Sequence, residues 1–257
     1  MSIKRYFLSA YRVMNFAAAE AGWRIFTSGS DFKVSEELPE TDILIIAPHP
    51  DDEVFACSGA ISKPKKVRKI KIAYIFSGDK VSNSKLAKVR EEESKSAVGQ
   101  LENLEQIFFR QPDNSAVTKQ TISDLSVMIL AMESGVIFTP NFSCPNDDHR
   151  EATRAVVEAL KLAKIKGQDI SKISIWLYGV WSPLPYFNRL IKVNMAEKEK
   201  AMEKFLSQHK DRNYIKAIKS LDDYYGEVYG LAYPAEAFFA APADLLLKIY
   251  GKKNVST

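Results

Sequence analysis

Cysteine and histidine are scarce in this chain, with two of the first and three of the second among 257 residues. Two thiols, Cys57 and Cys144, cannot build a disulfide framework and suit a reducing compartment, the cytoplasm. Cys144 lies five residues before a histidine, but with no C-x-x-C spacing it is expected to be a small buried filler. Internal repeats and low-complexity tracts are absent. The first apolar run is followed by no G-x-G-x-x-G, so a dinucleotide has no obvious cradle. A long unbroken apolar run is lacking too. The opening "MSIKRYFLSAYRVMNFAAAEAGWRIF" is interrupted by Arg12, Glu20 and Arg24 and has no clean small-residue cleavage site. It fits neither a signal peptide nor a bilayer span. A strong excess of one charge is also missing, the net being +4. The densest basic run, "KKVRKIK" at 65–71, has few aromatics and reads as a solvated edge, with no nucleic-acid partner expected.

What is present is one large domain with an extension. Residues 1–40 read as an amphipathic N-terminal extension and a polar linker, and 41–257 as the main domain. The extension is expected to pack on the domain. The sharper reading is peripheral membrane contact through residues 1–38. Beyond the linker, short apolar runs alternate with helical patterns. Strands are expected at 42–47, 71–78, 105–110, 135–140 and 173–180, each continuous enough to be buried on both faces. "SKLAKVREEESKSAVGQL", "TISDLSVMILAMES" and "HREATRAVVEALKLAK" supply helices between them. Such alternation predicts an α/β fold, a mostly parallel sheet with helices on both faces. Past residue 190 the chain is expected to form a helical C-terminal cover, including "PAEAFFAAPADLLLKIYGK".

Ligands of such sheets bind beyond the carboxyl ends of the strands. Two of the three histidines fall there, each beside paired aspartates: His49 in "HPDDE" after the first strand, His149 in "NDDH" after the fourth. A catalytic metal site uses three nitrogen or carboxylate ligands and one open position. His49, one aspartate of the pair and His149 supply that set. If a helix begins near Asp51, then Asp52, three residues after His49, swings back beside the imidazole. Asp51 is then left as a base next to an attacking water. The bland alternative is a helix N-terminus decorated with Asp51, Asp52 and Glu53. It accounts for the carboxylates and leaves both histidines unexplained.

"APHPDDEVFACSGAI" resembles the signature of the GlcNAc-phosphatidylinositol de-N-acetylase family, also called PIG-L or LmbE-like. Further stretches resemble the family in order: "SG" at 77–78, "REEESKSAVGQL" with Arg90 and Glu93, "QPD" at 111–113, "DDHREATRAVVEAL", "EKEKAMEKFLSQH" with Lys200, and "YPAEAF". The likeness spans about residues 40–240. It implies a Rossmann-like fold and a zinc-type hydrolase that removes an acetyl group from an N-acetylated amino sugar or glycoconjugate. Iron, cobalt and manganese suit the same donors. It further implies His49, Asp52 and His149 as metal ligands and Asp51 as the base. Arg90 and Asp113 are implied as substrate-binding, with an Arg90–Glu93 pair within one helix as the alternative.

One departure matters. Where the family's second motif runs H-x-D-H, this chain has Asn146-Asp147-Asp148-His149. Asn146 cannot shuttle a proton, although its amide can donate a hydrogen bond to a developing oxyanion. Asp51 is therefore expected to serve as both base and acid, with Asp148 bonded to Asn146 or orienting the loop. His209, at the end of a charged helix, is expected to be a surface residue. The competing reading is a catalytically weakened family member that binds metal and sugar.

Overall fold

The computed structural model describes residues 36, 38–62, 69–79, 84–99, 103–209 and 212–251. Of the extension and linker at 1–40, only residues 36 and 38–40 are described, and residues 65–68 of the basic run also fall outside the described residues. Leu38 is buried in the core, so the domain's packing already includes the end of the linker.

The described residues form one seven-stranded sheet with the order β3-β2-β1-β4-β5-β7-β6. β1 (Asp42–Ala47), β2 (Ile70–Phe76), β3 (Leu104–Gln111), β4 (Gly135–Pro140) and β5 (Ile173–Tyr178) run parallel. All five lie where the apolar runs place them, within two residues. β6 (Arg189–Lys192) and β7 (Ala235–Pro242) join antiparallel, β7 against β5. Helices α1 (Asp52–Ile61), α2 (Lys85–Val98), α3 (Lys119–Leu130), α4 (Asp147–Ile165), α5 (Met195–Met202), α6 (Tyr214–Val228) and α7 (Ala243–Gly251) complete the framework. The helical cover is α5–α7. Within it, "AEAFFAAP" is a strand rather than helix. Its alanines favour a helix locally, but pairing with β5 and burial on both faces override that preference.

Alternation along the strands divides the core. Leu44, Ile46, Ala73, Ile75, Ile137, Ile175 and Leu177 face α3, α4 and α7. Ile43, Ile45, Ile72, Tyr74, Val136, Phe138 and Trp176 face α1 and α2, with Met202 of α5 and Ile218 of α6. Helix starts are set by side chains: Ser84 accepts from the Ala87 N–H, Thr118 from Thr121 and Asn146 from Asp148. The strand order reverses between β1 and β4, which pair directly. That switch point opens a crevice at their carboxyl ends, where the two histidine loops emerge.

Candidate metal centre

The loop from β1 to α1 folds back on itself. Asp52 Oδ2 accepts from the His49 backbone N–H at 3.0 Å and lies 3.4 Å from His49 Nδ1. From the neighbouring loop, the first turn of α4 brings His149 Nε2 to 3.3 Å from the same oxygen. Ligand-type atoms of His49, Asp52 and His149 thus lie within 4.8 Å of one another, as do those of His49, Asp113 and Asp148. His49 belongs to both sets because its ring offers two nitrogens.

Asp52 and His149 are fully buried. Among the described residues, Asp52 Oδ1 and His149 Nδ1 have no hydrogen-bond partner. Burial opposes charge on both imidazoles. Even so, bonds to Asp148 and Asp52 push the His49 pKa up to about 9, and the Asp52 charge pushes His149 up to about 10. Burial likewise opposes ionisation of Asp52, but His149 and His49 hold it well below the usual carboxylate range. The pocket therefore favours positive charge at this point. Two imidazoles, one buried carboxylate and an orphaned carboxylate oxygen are a donor set that fits a divalent transition metal.

The simple helix-cap account of the acidic triplet fails at Asp51. Its side chain caps nothing and instead accepts from Arg90 Nη2 at 2.9 Å. Asp51 is 4% exposed; burial raises its pKa to about 6, with Arg90 pulling the other way. Its backbone N–H donates to Glu53 Oε2 at 2.9 Å. Glu53 faces the Ser94 hydroxyl at 2.7 Å and is pushed up to about 8 by burial, so it braces the turn from below.

Arg90 reaches the site through the loop after β1. Its guanidinium donates to Gly78 O (2.8 Å), Pro50 O (3.2 Å) and Asp51, so it forms part of the wall behind Asp51. The alternative pair with Glu93 does not form: Glu93 accepts from the Ser207 N–H and hydroxyl instead. Asp113 sits half-buried at the same rim and accepts from the Gly78 N–H at 2.9 Å. Asp148 lies 3.0 Å from His49 Nε2, and its other oxygen accepts from the Asn114 N–H at 2.8 Å. Asn146 is the cap of α4, its carbonyl accepting from the Asp148 N–H at 2.9 Å. Cys144 is buried and free. His209 is half-buried, 2.8 Å from Met202 O and outside both clusters.

The sequence reading missed the site's aromatic wall. Trp181, just beyond β5, places its indole N–H 3.1 Å from His149 Nε2. Tyr214, at the start of α6, packs edge-on to Trp181 at 5.5 Å and lies 5.9 Å from Phe55 of α1. Trp181 carried a usable signal, since it stands at a strand's carboxyl end, as both histidine loops do.

Residues 44–160 match the family model PIG-L, described as GlcNAc-PI de-N-acetylase. That stretch is a little under half the chain and holds every site residue read from the sequence. No curated protein gives a significant match. Among solved structures, an N,N'-diacetylchitobiose deacetylase from Pyrococcus horikoshii, complexed with its inhibitor, is 20% identical. It covers 87% of this chain and 92% of its own, with a TM-score of 0.65. A conserved protein from Thermus thermophilus is 23% identical, covering 79% and 95%, with a TM-score of 0.63. A 4-carboxy-2-hydroxymuconate hydratase from Pseudomonas putida is 15% identical, covering 78% and 96%, with a TM-score of 0.64. At these identities the structural matches show the fold, which serves more than one chemistry. The family match bears out the PIG-L resemblance.

Proposed function

We propose that this PIG-L-like chain is a metal-dependent hydrolase that removes the N-acetyl group from an amino sugar or amino-sugar conjugate. The observation that carries the reading is the buried His49–Asp52–His149 cluster with a second carboxylate, Asp51, held beside it by Arg90. A divalent metal held by those three residues, with zinc as the first candidate, would supply Lewis-acid polarisation of an acyl carbonyl and a nucleophile at neutral pH. The other steps fall to the chain's own groups. Asp51, ionised above a pKa of about 6, takes a proton from the attacking water. As the C–N bond breaks it returns that proton to the departing amine. Arg90 holds the Asp51 carboxylate in place and stabilises its charge. The Asn146 amide, whose carbonyl caps α4, keeps its N–H₂ as a donor for the oxyanion. Asp113, at the rim, is the candidate for sugar hydroxyls.

The test is Asp51→Asn. Acetate release from a panel of N-acetyl sugars and their nucleotide and lipid conjugates should fall by about 10²–10⁴. Metal content, read by elemental analysis, should stay unchanged. Normal turnover in this variant would remove Asp51 as the base. Failure of the wild type to release acetate from any member, with metal bound, would favour the weakened metal- and sugar-binding reading that Asn146 motivates.

A further inference from the structure

We propose that Asp148 is a positioning residue that decides which nitrogen of His49 faces the metal cluster. The inference rests on the metal-site reading above and deepens it. The His49 ring lies between two carboxylates. Nδ1 is 3.4 Å from Asp52 Oδ2, and Nε2 is 3.0 Å from Asp148 Oδ2. As a metal ligand the imidazole is neutral and has one N–H, and an ionised carboxylate only accepts. The Asp148 contact therefore places the proton on Nε2. The Nδ1 lone pair is then turned toward Asp52 and His149, where a ligand atom is needed.

Asp52 is the weaker claimant on the ring proton, since its Oδ2 lies 3.4 Å from Nδ1 against 3.0 Å for Asp148 at Nε2. Its Oδ2 already accepts from the His49 backbone and faces His149. Asp148 is held for the task from two sides. Its Oδ1 accepts from the Asn114 N–H at 2.8 Å. Asn114 has a positive φ of 59°, a conformation asparagine tolerates, and this aims its N–H at the carboxylate. The Asp148 backbone is fixed in the first turn of α4 by the Asn146 cap. Asn146 meets Asp148 only through that backbone N–H, so the Asp148 carboxylate remains with His49 and Asn114. One helical turn thus supplies a ligand, His149, and orients the other histidine. Such carboxylate–histidine contacts raise ligand basicity, and their loss weakens metal binding by about 10–100-fold.

Zinc alone is the probe. Its affinity for the full chain is measured by competition with a chromophoric chelator, for wild type, Asp148→Ala and Asp148→Asn. The asparagine variant is the decisive one. Its carbonyl can keep the Asn114 bond while its N–H₂ donates to His49 Nε2, which forces the proton onto Nδ1. A merely structural role predicts near-normal zinc affinity for Asp148→Asn. The positioning role predicts a loss of about 10–100-fold in both variants. With three histidines in the chain, ¹⁵N-histidine spectra of the zinc-loaded protein should show His49 bound through Nδ1 and protonated at Nε2. Unchanged zinc affinity in Asp148→Asn, or a proton on Nδ1 in the wild type, overturns the inference and leaves the hydrolase reading intact. If the wild type takes up no zinc, the metal-site reading fails and this inference fails with it.

Discussion

At Asp51 the backbone stands at φ 152° and ψ −30°, a region where a Cβ is strained. Such a residue costs about 1–3 kcal/mol and persists only where its surroundings over-determine it. Here Glu53 holds the N–H, Arg90 holds the carboxylate, and Arg90 also grips the carbonyl of Pro50. Arg90 in turn depends on Gly78, at φ 72°, whose carbonyl it grips and where a Cβ would run into the guanidinium. Gly78→Ala is therefore expected to dislodge Arg90 without touching His49, Asp52 or His149. Thermal denaturation should show a loss of at least the ~1–2 kcal/mol of a left-handed alanine. Acetate release should fall about tenfold or more, with zinc content unaltered. Retained activity and melting temperature would show that Arg90 does not position Asp51. At this scale much was legible. Scarce histidines beside paired aspartates marked the cluster, and the His49–Asp52 spacing set the fold-back. Arg90 was less so: nothing in its own helix shows that it reaches across to a loop forty residues earlier.

The elements divide by what local pattern can reveal. β1, β2, β3, β4 and β5 were readable because each is a short apolar run bounded by turns. β7 was not, because "AEAFFAAP" is helix-prone by composition and becomes a strand only when β5 offers its edge. The loop after α5 was opaque for a related reason. Its course follows long-range contacts, among them Glu93 of α2, which accepts both the N–H and the hydroxyl of Ser207. Hydrogen bonds to a charged group contribute about 1.5–3 kcal/mol each. Glu93→Ala should therefore raise amide exchange across residues 203–209 by at least about tenfold and leave the central strands protected. Unchanged exchange there would mean that the packing of Phe205 against Phe55 fixes the loop instead.

Across the molecule, a buried charge cluster joins the two halves of the chain. Lys198 of α5 donates at 2.7 Å to Asp222 of α6 and to Glu236 of β7, and Glu236 also accepts from Gly59 of α1. The sequence had drawn attention to Lys200, which is exposed; Lys198, two residues earlier, is the buried one, and only the tertiary fold distinguishes them. Two carboxylates share one ammonium, and burial pushes Glu236 up to about 7. A carboxyl raised on folding stabilises most below its unfolded value, ordinarily near 4.5, and loses that contribution as pH rises through about 7. The stability of wild type relative to Glu236→Gln should thus decline between about pH 5 and pH 8 in denaturant titrations. A flat difference would show that Lys198 keeps Glu236 ionised throughout.

The same long view gives the aromatic wall a meaning. His49, Asp52 and His149 all lie within residues 44–160, whereas Trp181, which packs on His149, and Tyr214, which packs on Trp181, come from later in the chain. The cluster and the aromatic residues packed beside it are written in separate passages of sequence. A lineage could exchange the second passage, or let it diverge, and inherit the first intact.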